Sequence, residues 1–109
     1  MSELVKENPT LRDCQAFHAW FDEQKGFSHD LPLNMMLLVE EVGEVAKEVR
    51  RLVHAADNQQ KQQEARQHLQ EELADCLAYI AKLANYTGID LEKAYVDKMK
   101  YNMQRVWTE

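Results

Sequence analysis

Apolar residues recur along this chain at the three- and four-residue spacing of an α-helix, in four separate segments. The first segment covers about residues 10–24. The second follows Asp30 and continues to about His54, and the third ends near Tyr86. The fourth covers about residues 91–106. The pattern therefore predicts an all-α protein, and specifically a four-helix bundle.

Residues that cap helices lie at the predicted ends of these segments. Thr10 and Asp30 are suited to begin the first and second helices, because their side chains accept hydrogen bonds from backbone N–H groups. Gly26 and Gly88 are suited to end the first and third helices. The glutamine-rich stretch 55–63 predicts the clearest mid-chain loop.

Length and composition fit one small domain covering residues 1–109, with residues 1–10 as a polar N-terminal segment. Only 3 Gly and 2 Pro occur, too few turn formers for a many-stranded barrel or sandwich. The net charge of −6 disfavours a nucleic acid polymer as partner. No apolar run approaches the length of a membrane span, and the N-terminus lacks the apolar core of a secretion signal. We therefore expect a cytoplasmic protein that does not bind membranes.

The second and third segments carry carboxylates beside their apolar stripes. One stripe consists of Leu38, Val42, Val45, Val49 and Leu52, and the other of Leu69, Leu73, Leu77, Ile80 and Ala84. Glu41 and Glu44 line one edge of the first stripe. Glu72, Asp75 and Tyr79 line one edge of the second. A shift of 31 residues along the chain superimposes the two patterns, which suggests an internal repeat.

Two such helices, packed antiparallel, would bring the acidic edges together. Four facing carboxylates repel one another, and a partly buried site tolerates them only when they are protonated or bound to metal. An all-oxygen ligand set suits Mg²⁺ or Mn²⁺. The alternative interpretation is a solvated helix edge, since Glu is a good helix former. A diiron bundle is not predicted, because the chain contains no Glu-x-x-His motif.

The same carboxylates lie in a pair of motifs that resembles the MazG-like nucleoside triphosphate pyrophosphohydrolases. Residues 38–45 read LVEEVGEV and residues 72–75 read ELAD, similar to the family signature of Glu-Glu-x-x-Glu followed by Glu-x-x-Asp. The resemblance covers about residues 11–105. It implies a MazG-like four-helix bundle that uses Mg²⁺, with Mn²⁺ as a substitute, to cleave a nucleoside triphosphate between the α and β phosphates. The products would be a nucleoside monophosphate and pyrophosphate.

The resemblance also implies roles for individual carboxylates. By analogy, Glu41, Glu44, Glu72 and Asp75 would hold the metal ions. Glu40 is the candidate for a catalytic base or a supporting role, and Glu41 is the alternative base. A solvated helix position is an equally good interpretation of Glu40.

Substrate contacts are predicted on the third and fourth helices. Lys98, Asn102 and Arg105 share one helix face and resemble the family's C-terminal basic pattern, which implies contacts to triphosphate oxygens. Tyr101 departs from that pattern, because Lys is usual at its position. Tyr79 matches a position that contacts the base in relatives. An ordinary helix surface is the alternative for the basic face, and packing against a neighbour is the alternative for Tyr79.

Further apolar residues lie beyond the four stripes. The aromatic group consists of Phe17, Trp20, Phe21 and Phe27. We interpret this group as core or subunit interface, with the wall of a base pocket as the alternative. Met35, Met36 and Val39 add a second apolar face to the second helix, which indicates a homodimer or homotetramer, as the resemblance also implies. The four histidines have no metal-like spacing and are predicted to be surface or loop residues.

Three functions remain open. The first is the nucleoside triphosphate pyrophosphohydrolase described above. The second is an enzyme of the same superfamily with another substrate, of the dUTPase or phosphoribosyl-ATP pyrophosphatase type. Residues 76–80 read CLAYI and lack the histidine expected in the latter, and dUTPases of this type are usually longer. The third is a helical interaction module without enzymatic activity.

Overall fold

The computed structural model describes residues 5–106, which form four α-helices and no strand. The helices are α1 (Leu11–Lys25), α2 (Leu31–His54), α3 (Gln59–Thr87) and α4 (Leu91–Gln104). The predicted all-α architecture is therefore confirmed. Within the described range, no helix is long and apolar enough to cross a membrane. Residues 1–4 of the predicted N-terminal segment lie outside the described residues.

The helix ends lie close to where the caps predict them. The Thr10 hydroxyl accepts a hydrogen bond from the Asp13 N–H at 3.1 Å, and the Asp13 carboxylate accepts one from the Thr10 N–H at 2.9 Å. This reciprocal capping box begins α1. Gly26 and Gly88 end α1 and α3 with φ angles of 66° and 71°, a conformation that residues with a Cβ seldom adopt. The side chain of Asp30 caps α2.

Helix α3 begins earlier than the sequence pattern predicts. Its first residue, Gln59, lies within the stretch 55–63 that was predicted to be a loop. Asn58 supplies the cap, because its Oδ1 accepts a hydrogen bond from the Lys61 N–H at 3.0 Å. The glutamines that follow are good helix formers. The connection from α2 to α3 therefore consists of residues 55–58 alone, which is short enough to join two antiparallel neighbours.

The hairpin of α2 and α3 is the main contact of the fold, with α1 packed on α3 and α4 packed on α1. Among the described residues, α4 makes no comparable contact with α2 or α3. The Gln15 side-chain amide donates to Asn85 Oδ1 at 3.0 Å, and the Asn85 amide donates back to the Gln15 carbonyl at 2.9 Å. The Arg12 guanidinium donates to the Asp90 carboxylate at 2.9 Å. Side chains of α1 therefore hold both the end of α3 and the start of α4.

The predicted apolar stripes do not form a closed core within one chain. The buried apolar residues of the described range are all alanines, namely Ala55, Ala65, Ala81 and Ala84. Val42, Leu73 and Leu77 of the stripes are 53%, 53% and 42% exposed. On the neighbouring helix edges Glu41 is half-buried and Glu48 is buried. The exposed stripe residues, which we call the apolar side of the hairpin, are Val42, Val49, Leu73, Leu77 and Ile80.

The chain exposes more surface than a compact monomer of its size. Its accessible surface is 8390 Å², against roughly 6,300 Å² for a folded monomer of this mass. Its radius of gyration is 16.7 Å, against about 13 Å for a compact chain of similar length. The surface excess is larger than the roughly 800 Å² that each partner buries in a standard interface. Part of this surface is apolar, since Val42, Leu73 and Leu77 are among the exposed residues, and large exposed apolar patches are typical of interaction surfaces.

Asn34 fixes the loop that joins α1 to α2. Its side chain is buried, at 2% exposure, although asparagine is usually a surface residue. The Asn34 amide donates to the carbonyl of Ser28 at 2.9 Å and to the carbonyl of Asp30 at 2.8 Å. The Asp30 carbonyl also accepts the Asn34 backbone N–H at 3.0 Å, so that one buried residue holds both ends of the loop segment 28–30.

We expect Asn34→Ala to lower the free energy of unfolding by about 1–3 kcal/mol, because both side-chain hydrogen bonds are lost in a partly buried place. Urea denaturation followed by circular dichroism measures this change. The matched control is Asn8→Ala, at an exposed position, where we expect a change below about 0.5 kcal/mol. Equal effects of the two substitutions would contradict the role of Asn34.

Candidate active site

Three carboxylates meet between α2 and α3. Glu41, Glu72 and Asp75 each place one oxygen within 4.8 Å of the others. Glu41 lies on α2, and the other two lie three residues apart on α3, within one helical turn. Glu41 and Glu72 are half-buried and Asp75 is exposed, so that the cluster opens to solvent on one side. The structure thus brings together three of the four residues predicted to be metal ligands.

One oxygen of the Glu41 carboxylate lacks a hydrogen-bond partner among residues 5–106. This atom, Oε2, is buried. A hydrogen bond shared with Glu72 raises the pKa of Glu41 to about 7, and burial and the charges of Glu72, Asp75 and Glu44 act in the same direction. The cluster therefore holds a proton near neutral pH, or a cation in its place.

The donor set fits a small divalent cation. Mg²⁺ binds oxygen ligands at 2.0–2.1 Å, so that two of its ligands lie at most about 4.2 Å apart. The separation in the cluster, within 4.8 Å, is close enough for small side-chain rotations to meet this limit. The cluster contains no histidine. Burial, together with the nearby carboxylates, raises the pKa of the adjacent Cys76 thiol, which disfavours the thiolate as a ligand.

Two other predicted site residues lie outside this cluster. The side chain of Glu44 is 49% exposed, and its carboxylate lies 3.9 Å from the Lys47 ammonium group. Glu40 is exposed to solvent. Between them, Gly43 has no atom within 4 Å of the place where a Cβ would lie. The structure therefore does not bring the predicted fourth ligand or the predicted base at Glu40 into the cluster.

Tyr79 connects the carboxylates to a cavity of about 230 Å³. It lies one turn beyond Asp75 on α3. Burial raises the pKa of the Tyr79 phenol, and the charges of Glu41 and Asp75 raise it further, as expected for a group close to the cluster. Phe27 and Lys82 also line the cavity. A space with two aromatic side chains in its wall therefore adjoins the carboxylates.

A buried ion pair between α1 and α3 supports the cavity. Asp22 on α1 is 2% exposed, and its Oδ1 lies 3.4 Å from the Lys82 ammonium nitrogen. The other Asp22 oxygen accepts a hydrogen bond from the Tyr86 hydroxyl. Burial and this carboxylate raise the pKa of Tyr86. The Tyr86 ring stacks on His29 at 4.4 Å between centroids, which holds the loop before α2 against α3.

Neither Asp22 nor Lys82 is predicted to be functional by the sequence pattern. Lys82 is the lone charge within the apolar run 76–84, and this interruption is the signal that marks it. No comparable signal marks Asp22, which begins the polar segment DEQK. The prediction that all histidines are surface or loop residues is wrong for His18, which is half-buried in α1 and whose pKa is lowered by burial.

The aromatic residues of α1 pack mainly on one another. Phe17 and Phe21 stack at 5.4 Å between centroids, and Trp20 and Phe21 stack at 6.3 Å. Phe27 meets Phe21 edge-on at 5.9 Å. Only Phe27 of this group lines the cavity beside Tyr79. The group therefore divides, with three residues packing along α1 and one next to the candidate site.

The basic face of α4 lies apart from the carboxylates within one chain. Helix α4 packs on α1 rather than on the hairpin that carries the cluster. The Lys98 ammonium lies 5.0 Å and the Arg105 guanidinium 5.8 Å from the Tyr101 ring centroid. These two cations therefore flank the residue that departs from the family pattern. The structure does not bring Lys98, Asn102 and Arg105 to the carboxylates of the same chain.

Comparison with known protein families decides the assignment. The family described as "MazG nucleotide pyrophosphohydrolase domain" matches residues 30–107, a range that includes both acidic motifs. The chain belongs to the MazG family. The resemblance noted in the two motifs is thereby confirmed, and the all-α architecture agrees with it.

Several curated MazG relatives align with most of this chain. It is 39% identical over 100 residues to dCTP pyrophosphatase 1 of Rattus norvegicus and 36% identical over 100 residues to that of Homo sapiens. Each alignment covers 89% of this chain and 59% of the relative, so that the chain spans about three fifths of their length. The uncharacterized protein YvdC of Bacillus subtilis is 32% identical over 97 residues, covering 82% of this chain and 92% of YvdC.

We expect the stability of the protein in EDTA to fall as the pH rises from about 4.5 to about 7. The pKa of Glu41 is raised from 4.5 to about 7 in the fold, so that the unfolded chain releases this proton at a lower pH than the folded chain. The destabilisation is absent below this window and complete above it. Addition of Mg²⁺ at pH 8 should restore stability, because the cation binds the ionised cluster. Urea denaturation at a series of pH values measures both effects.

Two substitutions test whether the Glu41–Glu72 pair causes the pH dependence of stability, rather than the other acidic residues of the protein. Glu72→Gln should flatten the pH dependence, because it removes the charge and the acceptor that raise the pKa of Glu41. The matched control is Glu71→Gln, at the exposed preceding position, which should leave the dependence in place. A pH dependence that persists unchanged in Glu72→Gln would show that another group is responsible.

Proposed function

We propose that this protein hydrolyses nucleoside triphosphates between the α and β phosphates, releasing a nucleoside monophosphate and pyrophosphate. The observation that carries the proposal is the cluster of Glu41, Glu72 and Asp75, with its unpartnered buried oxygen, in a chain of the MazG family. The name of the mammalian relatives, dCTP pyrophosphatase 1, supports the same reaction class.

Mg²⁺ is the proposed cofactor, with Mn²⁺ as a substitute, since both prefer oxygen ligands. Glu41, Glu72 and Asp75 are the proposed ligands, and Glu44, one turn after Glu41, is the proposed fourth. The bound cation would neutralise phosphate oxygens and make a bound water a better nucleophile. The proposed role of the carboxylates is thus to hold a cation at the place where the negatively charged triphosphate binds.

Glu41 is a better candidate than Glu40 for accepting the proton of the attacking water. Glu41 lies in the cluster itself, next to the place where a water bound to the proposed cation would lie. Its unpartnered oxygen is also an available acceptor. Glu40 is exposed and lies outside the cluster, which favours a supporting role at its edge.

The nucleoside is proposed to extend from the carboxylates into the cavity beside Tyr79. Tyr79 lies about 6 Å along α3 from Asp75, and the Phe27 ring forms another part of the wall. Aromatic side chains stack on nucleobases of every type. The names of the mammalian relatives make dCTP the first substrate to test.

A homodimer or homotetramer is the proposed working form. The support is the exposed apolar side of the hairpin and the surface that exceeds that of a compact monomer. A second copy also accounts for the basic face of α4, which packs away from the hairpin of its own chain. We propose that Lys98, Asn102 and Arg105 bind triphosphate oxygens at the site of a neighbouring copy.

Product analysis tests the reaction directly. We expect dCTP and Mg²⁺ to yield dCMP and pyrophosphate on ion-exchange chromatography, and EDTA to abolish the reaction. The other common ribo- and deoxyribonucleoside triphosphates, assayed in parallel, establish the base and sugar preference. Release of diphosphate and orthophosphate would contradict cleavage between the α and β phosphates.

Removal of a proposed ligand should abolish turnover without unfolding the protein. We expect Asp75→Ala and Glu44→Ala to lower kcat by about 100-fold or more, beyond the 10–100-fold typical of groups that only support metal ligands. The matched control is Glu71→Ala, at an exposed position on α3. Circular dichroism checks that all variants keep their helices. Wild-type turnover in either ligand variant would exclude that residue from the site.

Sedimentation velocity tests the proposed assembly. We expect a dimer or tetramer at micromolar concentration, and dissociation in Leu77→Glu, which places a charge on the apolar side of the hairpin. The control is Ala19→Glu, an exposed position on α1. A monomeric unmodified protein that is fully active would contradict the proposed working form.

A further inference from the structure

The ammonium group of Lys82 lies in the wall of the cavity beside Tyr79. Its Nζ lies over two ring faces, 4.8 Å from the Tyr79 centroid and 4.9 Å from the Phe27 centroid. The Lys82 side chain is only 10% exposed, and both rings and Lys82 line the same cavity of about 230 Å³. A buried positive charge is therefore held where two aromatic faces come together.

Asp22 is the anion that keeps this charge in place. Its Oδ1 lies 3.4 Å from the Lys82 Nζ, longer than the 2.7–2.9 Å of a charge-assisted hydrogen bond. The same oxygen has no hydrogen-bond partner among residues 5–106. A lysine ammonium carries three N–H donors. Asp22 therefore neutralises Lys82 without using up its donors.

The apolar walls of the cavity suit a nucleobase better than a phosphate. Leu33 and Leu37 add aliphatic surface to the two aromatic rings, and the polar residues Ser28 and Asn34 complete the lining. Such walls stack on a flat base but would desolvate a phosphate at high cost. A cationic donor among them favours a base that bears an exocyclic carbonyl oxygen. Cytosine and guanine each bear one such oxygen, uracil and thymine each bear two, and adenine bears none.

We propose that Lys82 is a specificity-determining residue that donates a hydrogen bond to the carbonyl oxygen of the substrate base. Asp22 is then a positioning residue, which acts by holding Lys82 beneath the rings. The inference rests on the proposed function, because it concerns the base half of the same substrate. It assigns base recognition to the ion pair between α1 and α3, separate from the carboxylates that serve the phosphates.

The test combines a substitution in the protein with the change of one atom in the substrate. In 2-thio-dCTP, sulfur replaces the only carbonyl oxygen of cytosine. With the unmodified enzyme we expect kcat/KM for 2-thio-dCTP to be about tenfold or more below that for dCTP, since a site that hydrogen-bonds a substrate group rejects an analogue without it. With Lys82→Met we expect the two substrates to differ by less than about twofold, the signature of a lost pairwise coupling.

A second variant keeps the test valid if Lys82→Met does not fold. That substitution leaves the buried Asp22 charge unpaired, which is strongly destabilising. The double variant Asp22→Asn/Lys82→Met removes both charges and still offers Tyr86 an acceptor. The matched control is Lys93→Met, a lysine on α4 with a 70% exposed side chain. The control should keep the substrate ratio of the unmodified enzyme.

The outcomes distinguish this inference from the function on which it rests. Failure of the unmodified protein to cleave dCTP or any other nucleotide would overturn both. Cleavage of dCTP with the same penalty for 2-thio-dCTP in the unmodified and double-variant proteins would overturn the role of Lys82 alone, since a merely structural ion pair would affect both substrates equally. A penalty in the unmodified enzyme that disappears in the double variant supports the proposal.

Discussion

Repulsion among carboxylates is the constraint on which the fold of this chain depends. The α2–α3 hairpin is the main contact of the fold, and Glu41 and Glu72 are half-buried within it. Like charges at such a contact oppose it unless a proton or a cation intervenes. The pKa of Glu41 is raised to about 7 by the hydrogen bond with Glu72, by burial and by the charges of the neighbouring carboxylates. The contact between the two helices is thus tied to the protonation of its acidic edge.

The acidic contact also bears on where the apolar residues lie. Glu41 and Glu72 are half-buried in the hairpin, whereas Val42, Leu73 and Leu77 are exposed. Large aliphatic side chains left exposed in one chain are typical of an interaction surface. The carboxylate cluster and the proposed subunit interface therefore belong to adjacent faces of the same two helices.

Local features of this fold were predictable from the sequence, and features set by packing were not. Thr10, Gly26 and Gly88 act through hydrogen bonds and backbone angles within a few residues, so that their positions alone locate the helix ends. Spacing also predicts that Glu41 meets Glu72 and Asp75 once two helices are assumed to be antiparallel.

Which helix face is buried depends on every surface that packs against it, and periodicity cannot rank two adjacent faces of similar width. The same limit applies to Glu44, whose exposed rotamer lies near Lys47 rather than in the cluster. It applies more strongly to Asp22 and Lys82, which lie 60 positions apart and meet only because α1 packs on α3. The lone charge in an apolar run marks Lys82 as unusual, but only the tertiary structure reveals its partner.

Gly43 adds a mechanical property to the acidic turn of α2. It has an ordinary helical backbone, and nothing in the chain lies close enough to exclude a side chain, so that the fold itself does not require glycine there. Glycine inside a helix costs about 1 kcal/mol relative to alanine, because it loses more conformational freedom on folding. The turn that bears Glu41 and Glu44 is therefore less stable than it would be with alanine at position 43. A change in the separation of these two carboxylates would accordingly cost less free energy than it would in an alanine-containing turn.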